Sequence, residues 1–153
     1  MKNTKRIYTG LSSLVLVLLL TACSLKAQKE SDIRQIEFTK TGRGYQENVR
    51  VTADSVISKI EDFRAEEKSK RTGRKLAPKE WETLLKTLAG VELKEVPTLP
   101  PPTDRRAYDG ALAASLQITT TQNQTFGHSF DNEEPHAKLV PLMKAVRALT
   151  ASK

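Results

Sequence analysis

Ile36 and Phe38 sit two residues apart between polar neighbours in "RQIEFTK". A period of two marks a half-buried strand. Val49 and Val51 repeat that period in "ENVRVTA", and "TGRG", residues 41–44, supplies two glycines for a turn between them, so the two runs predict a β-hairpin. Residues 54–72 fit two periods. Val56, Ile57, Ile60 and Phe63 have helical spacing, with Asp54 or Ser55 as a cap, whereas Val56, Ser58 and Ile60 alternate. The tight polar turn "TADS", straight after a strand, favours a meander that continues as a third strand over Ser55–Ile60.

The next segment, "LAPKEWETLLKTLAG", is helical. Trp81, Leu84, Leu85 and Leu88 fall at i, i+3, i+4 and i+7 on one face. Pro78 suits the first helical position, where a missing N–H is no loss, and Gly90 suits the left-handed residue that ends a helix. "VPTLPPPTDRR", residues 96–106, holds four prolines and predicts a stiff, extended crossover. The strand pattern then restarts. Asp109-Gly110 makes a turn, Leu112, Ala114, Leu116 and Ile118 alternate inward, and Phe126, His128 and Phe130 share a face of the returning strand. Leu139, Leu142, Met143, Val146 and Leu149 form a second amphipathic helix, whose regular part is expected to start near Pro141 or to tolerate it in its first turns. The pattern predicts an α+β fold: an antiparallel sheet built from two strand groups, each followed by one amphipathic helix packing on one face.

The N-terminus follows other rules. Lys2, Lys5 and Arg6 precede the apolar run "LSSLVLVLLL", and small residues lead to Cys23, the single cysteine of the chain. Charge, apolar region and small residues in that order lay out an export signal. Within the uncharged run between Arg6 and Lys26, the segment Thr9–Ala22 that ends at the expected cleavage point has 14 residues, short of the roughly 20 a membrane-spanning helix needs. Leu20-Thr21-Ala22-Cys23 resembles the lipobox of bacterial lipoproteins. The resemblance implies cleavage between Ala22 and Cys23 by signal peptidase II, diacylglycerol on the Cys23 sulfur, and an N-acyl chain, palmitate or similar, on the new amino group. One acyl chain binds a membrane marginally and two or more anchor it. Ser24 in place of an aspartate implies, by the sorting rule of that family, the outer membrane over the inner. The expected organisation is a cleaved signal peptide over 1–22, the lipidated cysteine and a polar tether over 23–32, and a single α+β domain over 33–150. Nine tether residues reach at most about 30 Å, which keeps the domain near the bilayer. The centre, "RRAYDGALAASLQI" with a later "FD…P…L", resembles small uncharacterised envelope lipoproteins of Bacteroidota type; this likeness implies location and shape.

Composition changes the picture once the signal is set aside. The formal charge of +7 comes from 25 basic and 18 acidic residues. Loss of residues 1–22 removes three basic residues and no acidic one, leaving 22 against 18, a formal +4. That is an ordinary surface charge, and export argues against a nucleic-acid partner. Within it, Lys68, Lys70, Arg71, Arg74, Lys75 and Lys79 form a basic run, which Arg105 and Arg106 are placed to join in space. It reads as a solvated loop beside Glu66 and Glu67, or as a contact for an anionic surface: lipid headgroups, a glycolipid, or an acidic envelope protein.

Candidate chemistry is thin. His128, Asp131, Glu133, Glu134 and His136 lie within nine residues, and imidazole with carboxylate suits zinc and similar ions. Their spacing matches no strong metal motif, and the simpler reading is a core-edge His128 with acids near a helix start. No serine sits in a nucleophile elbow, and the glycine pair of "TGRGY" reads as a hairpin turn, not a phosphate loop. The expectation is therefore a non-enzymatic binding or inhibitor-like envelope lipoprotein that partners the membrane through its anchor. It has no catalytic or metal-ligating residue, and no cofactor besides the covalent lipid. Two alternatives stand beside it. One is a small hydrolase or metal-dependent enzyme using the region of His128, Asp131 and His136; the other is a purely structural lipoprotein.

Overall fold

Residues 32–108 and 110–151 are described by the computed structural model. The signal segment, Cys23 and all of the tether before Asp32 lie outside these residues, as does Asp109 of the expected turn. Strand β1 (Ile33–Gly42) and strand β2 (Tyr45–Thr52) pair antiparallel, with Ile36 opposite Val51 and Phe38 opposite Val49. Gly44 closes their two-residue turn at φ 72°, a conformation a side chain resists. At Gly42 a Cβ would press on the tip of the half-buried Leu112 side chain, which would have to turn aside. Strand β3 (Ser55–Asp62) continues the meander as the polar turn implied, and strand β4 (Ser69–Lys75) extends it.

Helix α1 (Pro78–Lys86) begins with Pro78, and the Glu80 carboxylate reaches back to accept the Ala77 N–H at 2.9 Å. Gly90 lies beyond its end at φ 80°. Strands β5 (Ala113–Thr120) and β6 (Thr125–Asp131) form the second hairpin, and helix α2 (Val140–Ala151) closes the domain. Pro141 sits in the first turn of α2, where backbone N–H groups have no helical acceptor anyway. The sheet is antiparallel with the order β4-β3-β2-β1-β5-β6, because β5 pairs with the free edge of β1.

Both helices cover the same face. Ile36, Phe38, Val49, Val51, Leu116, Ile118 and Phe130 are fully buried from the sheet side, and Leu84, Leu85, Leu88, Leu142, Met143 and Val146 meet them from the helices. Each such side chain contributes about 1.5–3 kcal/mol by leaving water. The α+β class and the placement of one amphipathic helix after each strand group are as the pattern predicts.

Two local readings need correction. The basic run is not a loop: residues 69–75 form β4, a sheet edge. The segment 96–106 is not extended throughout. One 3-10 turn covers Leu93–Thr98 and another Arg105–Tyr108. Pro97 fits inside the first because the bonds that close it run from the Glu95 N–H to Glu92 and from the Leu99 N–H to Val96, so the missing N–H is not required. Leu93 and Val96 are buried there, and this turn packs on β6.

Candidate functional site

Antiparallel pairing fixes which side chains share a face. On the helix-bearing face, Val56, Ser58 and Ile60 of β3 stand opposite Arg74, Thr72 and Lys70 of β4. The end of α2 does not cover this corner. Leu149, Thr150 and Ala151 instead form one wall of a groove whose other wall is Lys70, Thr72 and Arg74 and whose floor is β3. The groove measures about 760 Å³, within the range of ligand-binding clefts.

An ion network closes one end of it. Lys40 and Glu47 occupy inward positions, opposite each other, in the alternation that carries Phe38 and Val49. Arg147 of α2 reaches down to them. Its guanidinium donates to both Glu47 oxygens and to Glu133, and lies 4.5 Å from the centre of the Phe38 ring. Lys40 completes the network through Glu133 and, at 3.4 Å, Glu47. Glu47 is 3% exposed. Burial alone would raise its pKa, but the hydrogen bonds and charge of Arg147, with Lys40, hold it below the usual carboxylate range. Glu133 is held low by the same balance. The Tyr45 hydroxyl, which donates to Glu47 at 3.1 Å, is pushed up to about 12 by burial and then by the Glu47 charge. At neutral pH these carboxylates are ionised acceptors without a proton to donate, which suits architecture and charge recognition more than acid catalysis.

The basic residues do not make one patch. Lys70 and Arg74 face the groove, while Arg71 and Lys75 face the other side of the sheet, with Lys59 opposite Arg71. Lys68 precedes the strand and Lys79 follows in α1. Arg74 is committed to a two-pronged pair with Glu80, at 3.0 and 2.8 Å, and also donates to the Leu149 carbonyl at 3.3 Å, which ties β4 to both helices. Arg105 and Arg106, expected beside this run, lie at the opposite edge of the sheet. Both of their backbone N–H groups and the Arg106 guanidinium donate to Asp131, as does the Thr103 hydroxyl at 2.5 Å. Asp131 is fully buried. Burial pushes its pKa up, but these hydrogen bonds outweigh that and hold it far below the carboxylate range. The side chain fastens the proline-rich crossover to the end of β6.

His128 is 2% exposed, stacks on Phe130 with ring centres 5.5 Å apart, and accepts the His136 backbone N–H at 3.2 Å through Nε2. The His136 ring turns elsewhere, accepting the Lys138 N–H at 3.3 Å through Nδ1. Among the described residues no three His, Cys, Asp or Glu side chains gather as a metal-ligating group. Comparison with protein-family models gives no match, and comparison with curated proteins gives none.

The setting of His128 makes a testable prediction. Burial, then the neighbouring His136 and Arg106, lowers its pKa. The unfolded chain accepts a proton near pH 6.5 that the fold refuses, so this contribution is present above about pH 6.5 and declines as pH falls below it. Thermal melts at pH 7.5 and 5.5 should show a larger drop in the native protein than in His128→Gln. An equal drop in both would remove His128 as the source.

Sequence reasoning missed Glu47, Arg147, Glu133 and Lys40 as a unit. The available signal was Lys40 and Glu47, two charges at inward positions of otherwise apolar strand faces.

Proposed function

We propose that this chain is a lipid-anchored protein of the bacterial cell envelope, outer membrane over inner, whose α+β domain binds a partner near the membrane and is not an enzyme. The observation that carries the binding reading is the groove of about 760 Å³ between β3, β4 and the end of α2. It combines an apolar floor with the ammonium of Lys70 and the hydroxyls of Ser58, Thr72 and Thr150, while the charges at its closed end are already engaged with each other. Such a surface offers burial and a few directional contacts, the ingredients of recognition. The lipobox-like Leu20-Thr21-Ala22-Cys23 supports the anchor, and no helix among the described residues is long and apolar enough to cross a membrane.

Thr72 is exposed and points into the groove, so Thr72→Trp should fill it while keeping β-strand preference. In pull-downs from envelope detergent extract with the intact lipoprotein, the partner retained by the native protein should be lost with Thr72→Trp. It should be kept with Gln117→Trp, whose side chain lies on the opposite face of the sheet. Retention by Thr72→Trp would place binding elsewhere.

A further inference from the structure

The sheet's two edges are treated differently. β6 is packed against the turn at Leu93–Thr98, whereas β4 is an edge strand exposed along nearly its whole length. The phase of its backbone can be read from the bonds that flank it. Asp62 donates its N–H to Lys68 at 2.9 Å, and Leu76 donates to Asp54 at 2.8 Å. Bonded pairs recur at every second residue of an antiparallel ladder. Lys70, Thr72 and Arg74 therefore bond to β3, and Ser69, Arg71, Gly73 and Lys75 turn their N–H and C=O groups away from the sheet. The Lys75 carbonyl accepts from the Arg74 guanidinium at 3.1 Å; Arg71 and Gly73 are exposed residues.

Gly73 stands in the middle of this edge. A Cβ built there would meet Ile57 Cγ1 and the Val56 carbonyl at 3.6 Å, ordinary contacts. Nothing inside the fold requires glycine, and glycine in a strand interior weakens it.

The surrounding charge selects what approaches. Arg71 and Lys75 line the outer face and Lys70 the groove face, whereas Lys59, opposite Arg71, is already paired with Glu61 at 2.7 Å. These cations repel a second copy of the same edge, a common guard against edge-to-edge pairing, and they attract an acidic strand. On the groove side an added strand lies beside Lys70, Thr72 and Arg74, with the apolar Val56, Ile60 and Leu149 of the groove beyond them. Resting on the binding reading above, we infer that β4 receives an extended acidic segment of another polypeptide as a seventh strand. Its acidic side chains lie beside Arg71 and Lys75, and the alternate, apolar ones lie over the groove. Main-chain hydrogen bonds supply affinity and the alternating side chains supply specificity, as in other strand additions.

The probe is a fluorescein-labelled heptapeptide of alternating Glu and Val, tested at neutral pH by anisotropy against the intact lipoprotein in detergent micelles. The expected result is saturable binding that weakens with salt and is absent for a Lys–Val peptide and for micelles alone. Gly73→Pro removes an outward N–H that β3 does not use. It should keep the melting temperature while weakening binding at least tenfold, whereas Thr72→Pro removes a ladder bond and should unfold the edge. A test that leaves the protein untouched is N-methylation of alternate peptide residues: one of the two phases should abolish binding and the other leave it. The inference is overturned if the Glu–Val peptide does not bind, or if both N-methylated phases bind alike. It is also overturned if Gly73→Pro binds the peptide as well as the native protein does. Binding to phosphatidylglycerol vesicles that survives Gly73→Pro, with no peptide binding, would make the edge a lipid-facing charge and overturn the strand. Loss of the envelope partner in Thr72→Trp would then still stand for the groove, so the two readings fail separately.

Discussion

Arg147→Ala is expected to lower stability by about 1–3 kcal/mol, the cost of stripping hydrogen-bond donors from a buried polar group, since Lys40 and the Tyr45 hydroxyl stay with Glu47. The effect comes from Glu47, which loses two guanidinium hydrogen bonds while remaining enclosed, and from Phe38, which loses the cation above its ring. Urea unfolding should show a lower midpoint with an unchanged slope. The sign of the pH dependence follows from the depressed pKa values of Glu47 and Glu133. In the native protein their contribution is complete above the unfolded value of about 4.3 and is lost as pH falls through the folded values. In Arg147→Ala much of that contribution is already missing, so the gap between the two proteins is widest near pH 7 and narrows below about pH 4. Replacing both partners, Glu47→Leu with Arg147→Met, should recover most of the loss, because an apolar pair carries no desolvation cost. A double variant as unstable as the single one would mean that the network sets the position of α2 by more than its charges.

The second large effect concerns the anchor. Cys23→Ala should abolish incorporation of labelled palmitate and leave an uncut precursor, because the lipobox-like signal offers one sulfur for the diacylglycerol. On the proposed anchor, the native protein should partition with membranes at high salt, since acyl chains and not charges would hold it. A Cys23→Ala protein that is still labelled and processed to the same size would remove the lipoprotein reading.

The strands with one buried face were legible because that face imposes a period of two. Ile36 and Phe38, Val49 and Val51, and Ala114, Leu116 and Ile118 all point inward where the pattern put them. β4 was not legible, since "SKRTGRK" is exposed almost throughout and carries no apolar alternation. It is a strand because β3 offers it a ladder, and that information lies outside its own residues. The same limit hid the sheet order: Ile36 alternates identically whether β2 or β5 lies beside it. The Glu47–Arg147 pair joins residues 100 positions apart, and Asp131 finds Thr103 and Arg106 across the crossover. Sequence shows a charge at an inward position but not which charge answers it. The groove was invisible for a related reason, since it arises from where α2 stops across the sheet. By contrast, His128 between Phe126 and Phe130 was read as a core histidine and is one, stacked on Phe130.

The claim that binding uses the β4 corner of this domain is tested most directly in living cells. A photocrosslinking amino acid is placed at position 72, in the groove, and separately at position 117, on the far face of the sheet, in the full-length protein in growing cells. Irradiation should give a discrete adduct from position 72 and none from position 117. No adduct from 72, or the same adduct from both, would contradict it.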